Sequence, residues 1–311
     1  MDVKLHTKLK HKIISYYFSG GWKNAFKSGN IYSLYYVDLF AGDGSCFCSE
    51  IDPDLEKILP RTLSERNWKP SYFDLMRHAD DANFNLKCVF NDISENNINS
   101  LMQEIKNKRY TKFIEGYFSK NANISYTDIL KLIDKPNKPS LFYIDPTNHS
   151  QLNFSTVEAI AKFKDEKSGR MPELIINLML NSIYMAFKRG LQKEDVESIN
   201  RFLGTNYDRN KINEIITDPF QKSYKILLNI YLEKLQELGY YCNYHLIKST
   251  KSNAPIYYLL FATFSKQVDD WYKNINSYVH TLEEEWIKKN YVIKTMSDAK
   301  KDGQTFLFDF E

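Results

Sequence analysis

Val37–Gly44 reads VDLFAGDG: an apolar run that ends on a carboxylate and then passes two glycines within six residues. The chain has only 11 glycines among its 311 residues, so a close pair stands out. An apolar strand that turns in this way belongs to an open α/β sheet, where ligands bind at the carboxyl ends of strands beside the point where strand order reverses. Gly42 and Gly44 would let the backbone approach a ligand where a Cβ would collide. Asp38 would present negative charge to a cationic group, and Phe40 and Ala41 complete the bend. The alternative is a tight strand-to-helix turn that binds nothing. The spacing is neither GxGxxG nor GxxxxGK[ST], which speaks against a nicotinamide dinucleotide and a nucleoside triphosphate.

Outward from this bend, short apolar runs alternate with helical stretches, the pattern of a parallel sheet covered on both faces. Strands are expected at Tyr32–Phe40, Lys87–Asn91, Lys112–Gly116, Ser140–Ile144 and Glu173–Met179, with helices at Ser94–Asn107, Ser125–Ile133 and Ser155–Lys164. Ser155 and Glu158 stand in capping-box spacing. The stretch Cys46–Phe84 is long enough for an extra helix or a lid. Ahead of the bend, Leu5, Leu9, Ile13 and Tyr17 mark the apolar stripe of a helix that Gly20–Gly21 should end, and Lys4, Lys8 and Lys12 form a second stripe. That row reads as a solvated face or as phosphate contacts.

Some sixty residues of helical pattern follow the fifth strand, including a helix capped at Asp218–Pro219 that carries Ile226, Leu227, Ile230 and Leu235 inward and stops at Gly239. Tyr241–Ser249 and Ile256–Phe264 then read as an antiparallel hairpin, and Gln267–Lys289 as a last helix. The division expected is residues 1–28 as a helical segment, 29–290 as a Rossmann-like domain with a helical insertion at about 188–238, and 291–311 as a tail.

Composition excludes whole classes. Hydrophobic residues at 43% and charged residues at 26% are globular values, which removes wholesale disorder. The longest apolar run, around Ile256–Phe264, is too short to cross a bilayer. The N-terminus lacks the apolar core of a secretory signal, and four cysteines do not make a disulfide framework, so a cytoplasmic setting is expected. A net charge of +3 permits an anionic partner without demanding one. Cys46, Cys48, His78 and Cys88 offer metal-ligating chemistry, but C-x-C is not a usual knuckle and Cys88 belongs to a strand; no metal is expected.

Two further positions carry chemistry. Asp92, in VFNDIS, stands just past the second strand, where a carboxylate can accept bonds from ribose hydroxyls or simply cap a turn; Ser94 is the better cap. Glu115–Gly116–Tyr117 follows the third strand, and Tyr117 would pack on an adenine face or fill core.

VDLFAGDG resembles the first motif of class I methyltransferases, which use S-adenosylmethionine. The resemblance implies a sheet in the order 3-2-1-4-5-7-6 with strand 7 antiparallel. It also implies that Asp38 lies near the methionine part of the cofactor, Phe40–Gly44 near the nucleoside and Asp92 at the ribose. Asp145-Pro146-Thr147-Asn148, directly after LFYI, resembles the DPP[YF] signature of amino-group methyltransferases, in which the carboxylate and the backbone at proline accept the N–H bonds of the target amine. The fourth residue, usually aromatic and facing the acceptor, is here Asn148, and the resemblance implies Asp145, Pro146 and Asn148 as the catalytic residues. The ordered blocks HTKLKHKIISYYF, YYVDLFAGDG, PSLFYIDPTN, ELIINLMLNSIYMAF, FLGTNYDR, LLNIYLEKLQELGYY and PIYYLLFATFS are similar to the three-Cys-motif partner protein (TcmP) family, up to about residue 290. That resemblance implies methyl transfer to an amino group of a nucleic acid, with a small three-Cys-motif protein as partner, or a methyltransferase-like scaffold that only binds. The family usually has DPFG at 145–148 and GPG at 42–44, and this chain departs from both.

Overall fold

Side chains alternate across the first strand, and the two sets bury on opposite faces. Leu34 and Tyr36 go one way, Tyr35 and Val37 the other, all at 2% exposure or less. The computed structural model describes residues 4–28, 31–49, 66–135, 137–216, 220–248, 255–270 and 272. Its main strands are β1 (Ser33–Asp38), β2 (Asn85–Asn91), β3 (Ile114–Phe118), β4 (Ser140–Ile144), β5 (Glu173–Leu178), β6 (Tyr241–Lys248) and β7 (Pro255–Thr263). They form one sheet in the order β3-β2-β1-β4-β5-β7-β6. Neighbours from β3 to β5 are parallel, while β7 runs antiparallel to both β5 and β6. This is the Rossmann-like order, with one antiparallel strand, that the resemblance implied. Strand order reverses at β1, so a crevice opens beyond the carboxyl ends of β1 and β4.

On one face pack α1 (Leu5–Tyr17), α3 (Tyr72–Asp81) and α4 (Glu95–Asn107), through Ile13, Ile14, Leu75, Met76, Ile98 and Leu101. The other face is covered by α5 (Ala122–Ile133), α6 (Phe154–Lys162), α7 (Leu180–Lys188), α8 (Lys193–Leu203), α9 (Arg209–Ile215) and α10 (Phe220–Glu237). Each fully buried aliphatic side chain here contributes roughly 1.5–3 kcal/mol.

Several local expectations are corrected. Gly20–Gly21 does not end the first helix: the chain widens into a π-turn over Phe18–Trp22 and continues as α2 (Lys23–Ser28), because Phe18 and Trp22 are both buried there. The lysine row is a solvated face only in part: Lys4 is exposed and Lys12 half-buried. Lys8 is 3% exposed, with its ammonium 5.3 Å from the centre of the Trp68 ring. Trp68 belongs to a two-stranded ribbon, Cys46–Phe47 with Asn67–Trp68, that lies with α3 in the long stretch after β1. β3 starts two residues late because Thr111–Phe113 is a 3-10 turn. Asn153, not Ser155, precedes α6 as its cap residue. Leu227 and Leu235 face inward as expected, but Ile226 faces outward at 43% exposure, and Leu228 and Tyr231 take the inward positions beside them. The cap at Asp218–Pro219, the turn 250–254 and the tail 291–311 lie outside the described residues, as does all but the start of the last helix.

Candidate functional site

β1 ends on Asp38, and the chain then bends across the sheet edge. The Leu39 N–H donates to Tyr143 O and the Ala41 N–H to Asn91 O, so the bend is sewn to β4 and β2. The Gly42 N–H donates to Asp92 Oδ2 at 3.1 Å. Gly42 and Gly44 have φ of +67° and +79°, where a side chain is strained. Gly44 also answers to packing. A Cβ there would meet Leu101 Cδ1 at 3.0 Å and Leu101 Cα at 3.2 Å, so this glycine also makes room for α4. Asp43 folds back to accept from Ser45 N–H and Oγ, both at 3.0 Å.

Asp38 is 1% exposed. Its Oδ1 accepts the Phe40 N–H at 3.0 Å and its Oδ2 faces the Tyr36 hydroxyl at 3.4 Å; no cation pairs with it among the described residues. Burial pushes its pKa up to about 8, the Phe40 and Tyr36 bonds pull back only in part, and the carboxylates of Asp145 and Asp92 raise it further. Such a carboxyl ionises when a positive group arrives beside it. Asp92 is half-buried and does two jobs. Its Oδ1 accepts from the Ser94 N–H at 2.9 Å and Asn97 Nδ2 at 3.0 Å while its Oδ2 holds the glycine bend. Ser94 still caps α4 through Asn97 N–H. With one described bond on Oδ2, Asp92 keeps acceptor capacity toward the cleft.

Asp145 stands across the cleft at the end of β4. Lys10 Nζ lies 2.5 Å from its Oδ2, which also accepts the Tyr143 hydroxyl at 2.9 Å; Asn177 Nδ2 donates to Oδ1 at 2.5 Å. Burial alone would raise this carboxyl, but the charge and hydrogen bond of Lys10, then the Asn177 bond, outweigh it and hold Asp145 below the ordinary carboxylate range. Next to Lys10, His11 is driven down to about 3 by burial and then by the Lys10 charge. It is a neutral ring whose Nδ1 accepts the Ser71 N–H at 3.0 Å, leaving its proton on Nε2, 4.0 Å from Cys46 Sγ. The sequence reading did not single out Lys10 or His11. The available signal was that Lys10 sits three, four and seven residues before Ile13, Ile14 and Tyr17, on the buried stripe itself.

These groups line one cleft of about 410 Å³, a volume suited to a small organic ligand. Asp38, Phe40, Ala41, Gly42, Gly44, Asp92, Asp145 and Pro146 all border it. Two expected residues do not. Tyr117 sits on edge strand β3, 56% exposed and outside the lining, so it is neither core nor a wall of the cleft. Asn148 turns away to cap the 3-10 turn His149–Gln151, accepting from Ser150 N–H and Oγ. Ile93, 71% exposed, borders the cleft next to Asp92. Among the described residues no group of three or more His, Cys, Asp or Glu is arranged to hold a metal ion, and no helix is long and apolar enough to cross a membrane.

No family model matches the chain, so the three-Cys-motif partner resemblance gains nothing from that side, and no curated protein matches it. Solved structures do. Protein LPL1258 from Legionella pneumophila str. Philadelphia 1, of family-model DUF519, is 12% identical over 91% of this chain and 93% of that one, with a TM-score of 0.52. Fainter likenesses include an O-methyltransferase from Bacillus cereus in complex with SAH (8% identity, 84% and 82% coverage, TM-score 0.42) and the O-methyltransferase TomG from Streptomyces achromogenes in complex with SAM (9%, 78% and 78%, 0.39). At such identities the likeness is one of fold: a mostly parallel seven-stranded sheet with flanking helices.

Proposed function

We propose that the protein is an S-adenosylmethionine-dependent methyltransferase acting on an amino group, with a nucleic acid as the acceptor. The carrying observation is the pairing of two unlike carboxyls in one cleft. Asp38 is buried without a cation, and Asp145 is kept ionised by Lys10. A cofactor with an ammonium and a sulfonium suits the first, and a hydrogen-bond-donating acceptor suits the second. Bound there, S-adenosylmethionine supplies an electrophilic methyl group on sulfur.

The residues would then divide the work. Asp38 pairs with the cofactor ammonium, the Phe40–Gly44 bend and Asp92 hold the nucleoside, and Ile93 gives the ring an apolar contact. Asp145 and the backbone at Pro146 accept the N–H bonds of the amine and aim its lone pair. Alignment of this kind supplies much of the acceleration in a displacement. An amine is favoured over a hydroxyl because nitrogen needs no deprotonation before it attacks; its extra proton leaves to water after the methyl group has transferred. A hydroxyl benefits from a base with a pKa near the working pH. Asp145 is held too acidic for that, and His11 has both ring nitrogens engaged. Asn148 facing away from the cleft favours a second reading, a binding scaffold without turnover.

The test is transfer of labelled methyl from S-adenosylmethionine to total RNA, total DNA and protein, with and without a small three-Cys-motif partner. Label in nucleic acid, lost in Asp145→Ala, supports the reading. Cofactor binding with no label anywhere supports the scaffold.

A further inference from the structure

Lys10 reaches Asp145 from a different part of the chain, and β7 supplies what it rests on. The Lys10 ammonium lies 5.6 Å from the centre of the Tyr257 ring, and His6 packs edge-on against the same ring with centroids 5.9 Å apart. Tyr257 is 3% exposed and borders the cleft. Its hydroxyl is buried and has no hydrogen-bond partner among the described residues. A buried phenol with an idle hydroxyl costs free energy relative to phenylalanine, so what the site uses is the ring. An aromatic face attracts an ammonium most where water is excluded, and the Lys10 side chain is 6% exposed.

We propose that Tyr257 is a positioning residue: its ring carries the Lys10 ammonium against Asp145 and thereby sets the charge and orientation of the carboxylate offered to the methyl acceptor. It acts through Lys10. The groups that face Asp145 are Lys10 and His11 from α1, Tyr143 from β4, Asn177 from β5, Asp38 from β1, Cys46 from the ribbon and Tyr257 itself. Among them Lys10 is the positive charge in hydrogen-bond contact, so displacing it moves Asp145 toward the protonated form. Tyr257 stays a neutral phenol, raised by burial and then by Asp145.

The experiment compares Tyr257→Phe, which keeps the ring, with Tyr257→Met, which keeps most of the volume in a flexible side chain. The Asp145 carboxyl is followed by carbon-13 NMR titration and assigned by its loss in Asp145→Asn. Tyr257→Met should raise the titration midpoint by about 0.5–1.5 units, the bound that a buried cation–π contact sets, and Tyr257→Phe should leave it in place. The acid limb of methyl transfer should move with the midpoint. An unmoved midpoint in Tyr257→Met overturns the proposal, and so does a Tyr257→Phe that shifts as Met does, because the hydroxyl would then be the working part. The NMR arm is independent of the methyltransferase reading. Calorimetric absence of S-adenosylmethionine binding by the unaltered protein would remove that reading while leaving the role of Tyr257 to the NMR result.

Discussion

Replacing Asp38 by asparagine should make the protein more stable at alkaline pH and less able to bind its cofactor. In the folded chain the carboxyl titrates at about 8 against an ordinary value of 3.8. A raised pKa means that the stability contribution is fully present below pH 3.8 and is lost as pH rises through about 8. Four units at 1.36 kcal/mol each set an upper bound of roughly 5 kcal/mol on that loss. Asparagine keeps an acceptor for the Phe40 N–H and never ionises, so the loss disappears. Chemical denaturation of both proteins from pH 4 to 9 should give curves that run close together near pH 4, diverge steadily as pH rises to about 8 and stay parallel beyond it, with the variant on top. The cost falls on binding. Removing a charged hydrogen-bond partner of the cofactor ammonium should weaken S-adenosylmethionine by roughly 1.5–3 kcal/mol, about 10- to 150-fold. In the unaltered protein at pH 7, binding should release close to one proton, readable by calorimetry in buffers of different ionisation enthalpy. A variant that loses stability at pH 8.5, or one that binds as tightly as the parent, would refute the reasoning.

Other outcomes follow from the same geometry. Gly44→Ala forces a Cβ against Leu101 at a φ of +79° and should destabilise by about 1–3 kcal/mol, measured by denaturant titration. Lys10→Met leaves Asp145 buried without its cation and should cost about 3 kcal/mol of stability. It should also suppress methyl transfer while S-adenosylmethionine affinity stays within a few-fold, and adding Asp145→Asn should restore stability but not turnover. Ile93→Ser should weaken cofactor binding by about 1 kcal/mol with little change in Tm, whereas Tyr117→Ala should leave cofactor affinity unaltered because Tyr117 stands outside the cleft.

What could be read in the sequence, and what could not, divides along contact distance. The bend after β1 and the DPTN turn after β4 were legible because a strand end, an acidic residue and a glycine or proline are neighbours in the chain. The alternation of elements and the closing hairpin gave a parallel sheet with an antiparallel end, while the strand order came with the resemblance to class I methyltransferases. The Lys10–Asp145 pair spans 135 positions, and no local pattern announces it. The π-turn at Gly20–Gly21 was hidden for a related reason: glycine usually stops a helix, but burial of Phe18 and Trp22 against the sheet outweighs that tendency. Lys8 under Trp68 shows the same override, since a charge row looks solvated until a distant ribbon folds over it. Asn148 was expected to face an acceptor from its place in a motif, yet two hydrogen bonds from Ser150 turn it into a cap.

The claim on which the rest stands is that the cleft between the β1 bend and Asp145 holds the methyl donor. A crystal structure of the intact chain with S-adenosylmethionine tests it most directly. The account predicts the ammonium beside Asp38, the ribose at Asp92 and the sulfonium methyl facing Asp145. Donor density anywhere else on the molecule, or a cleft filled by the chain's own side chains at saturating donor, would contradict it.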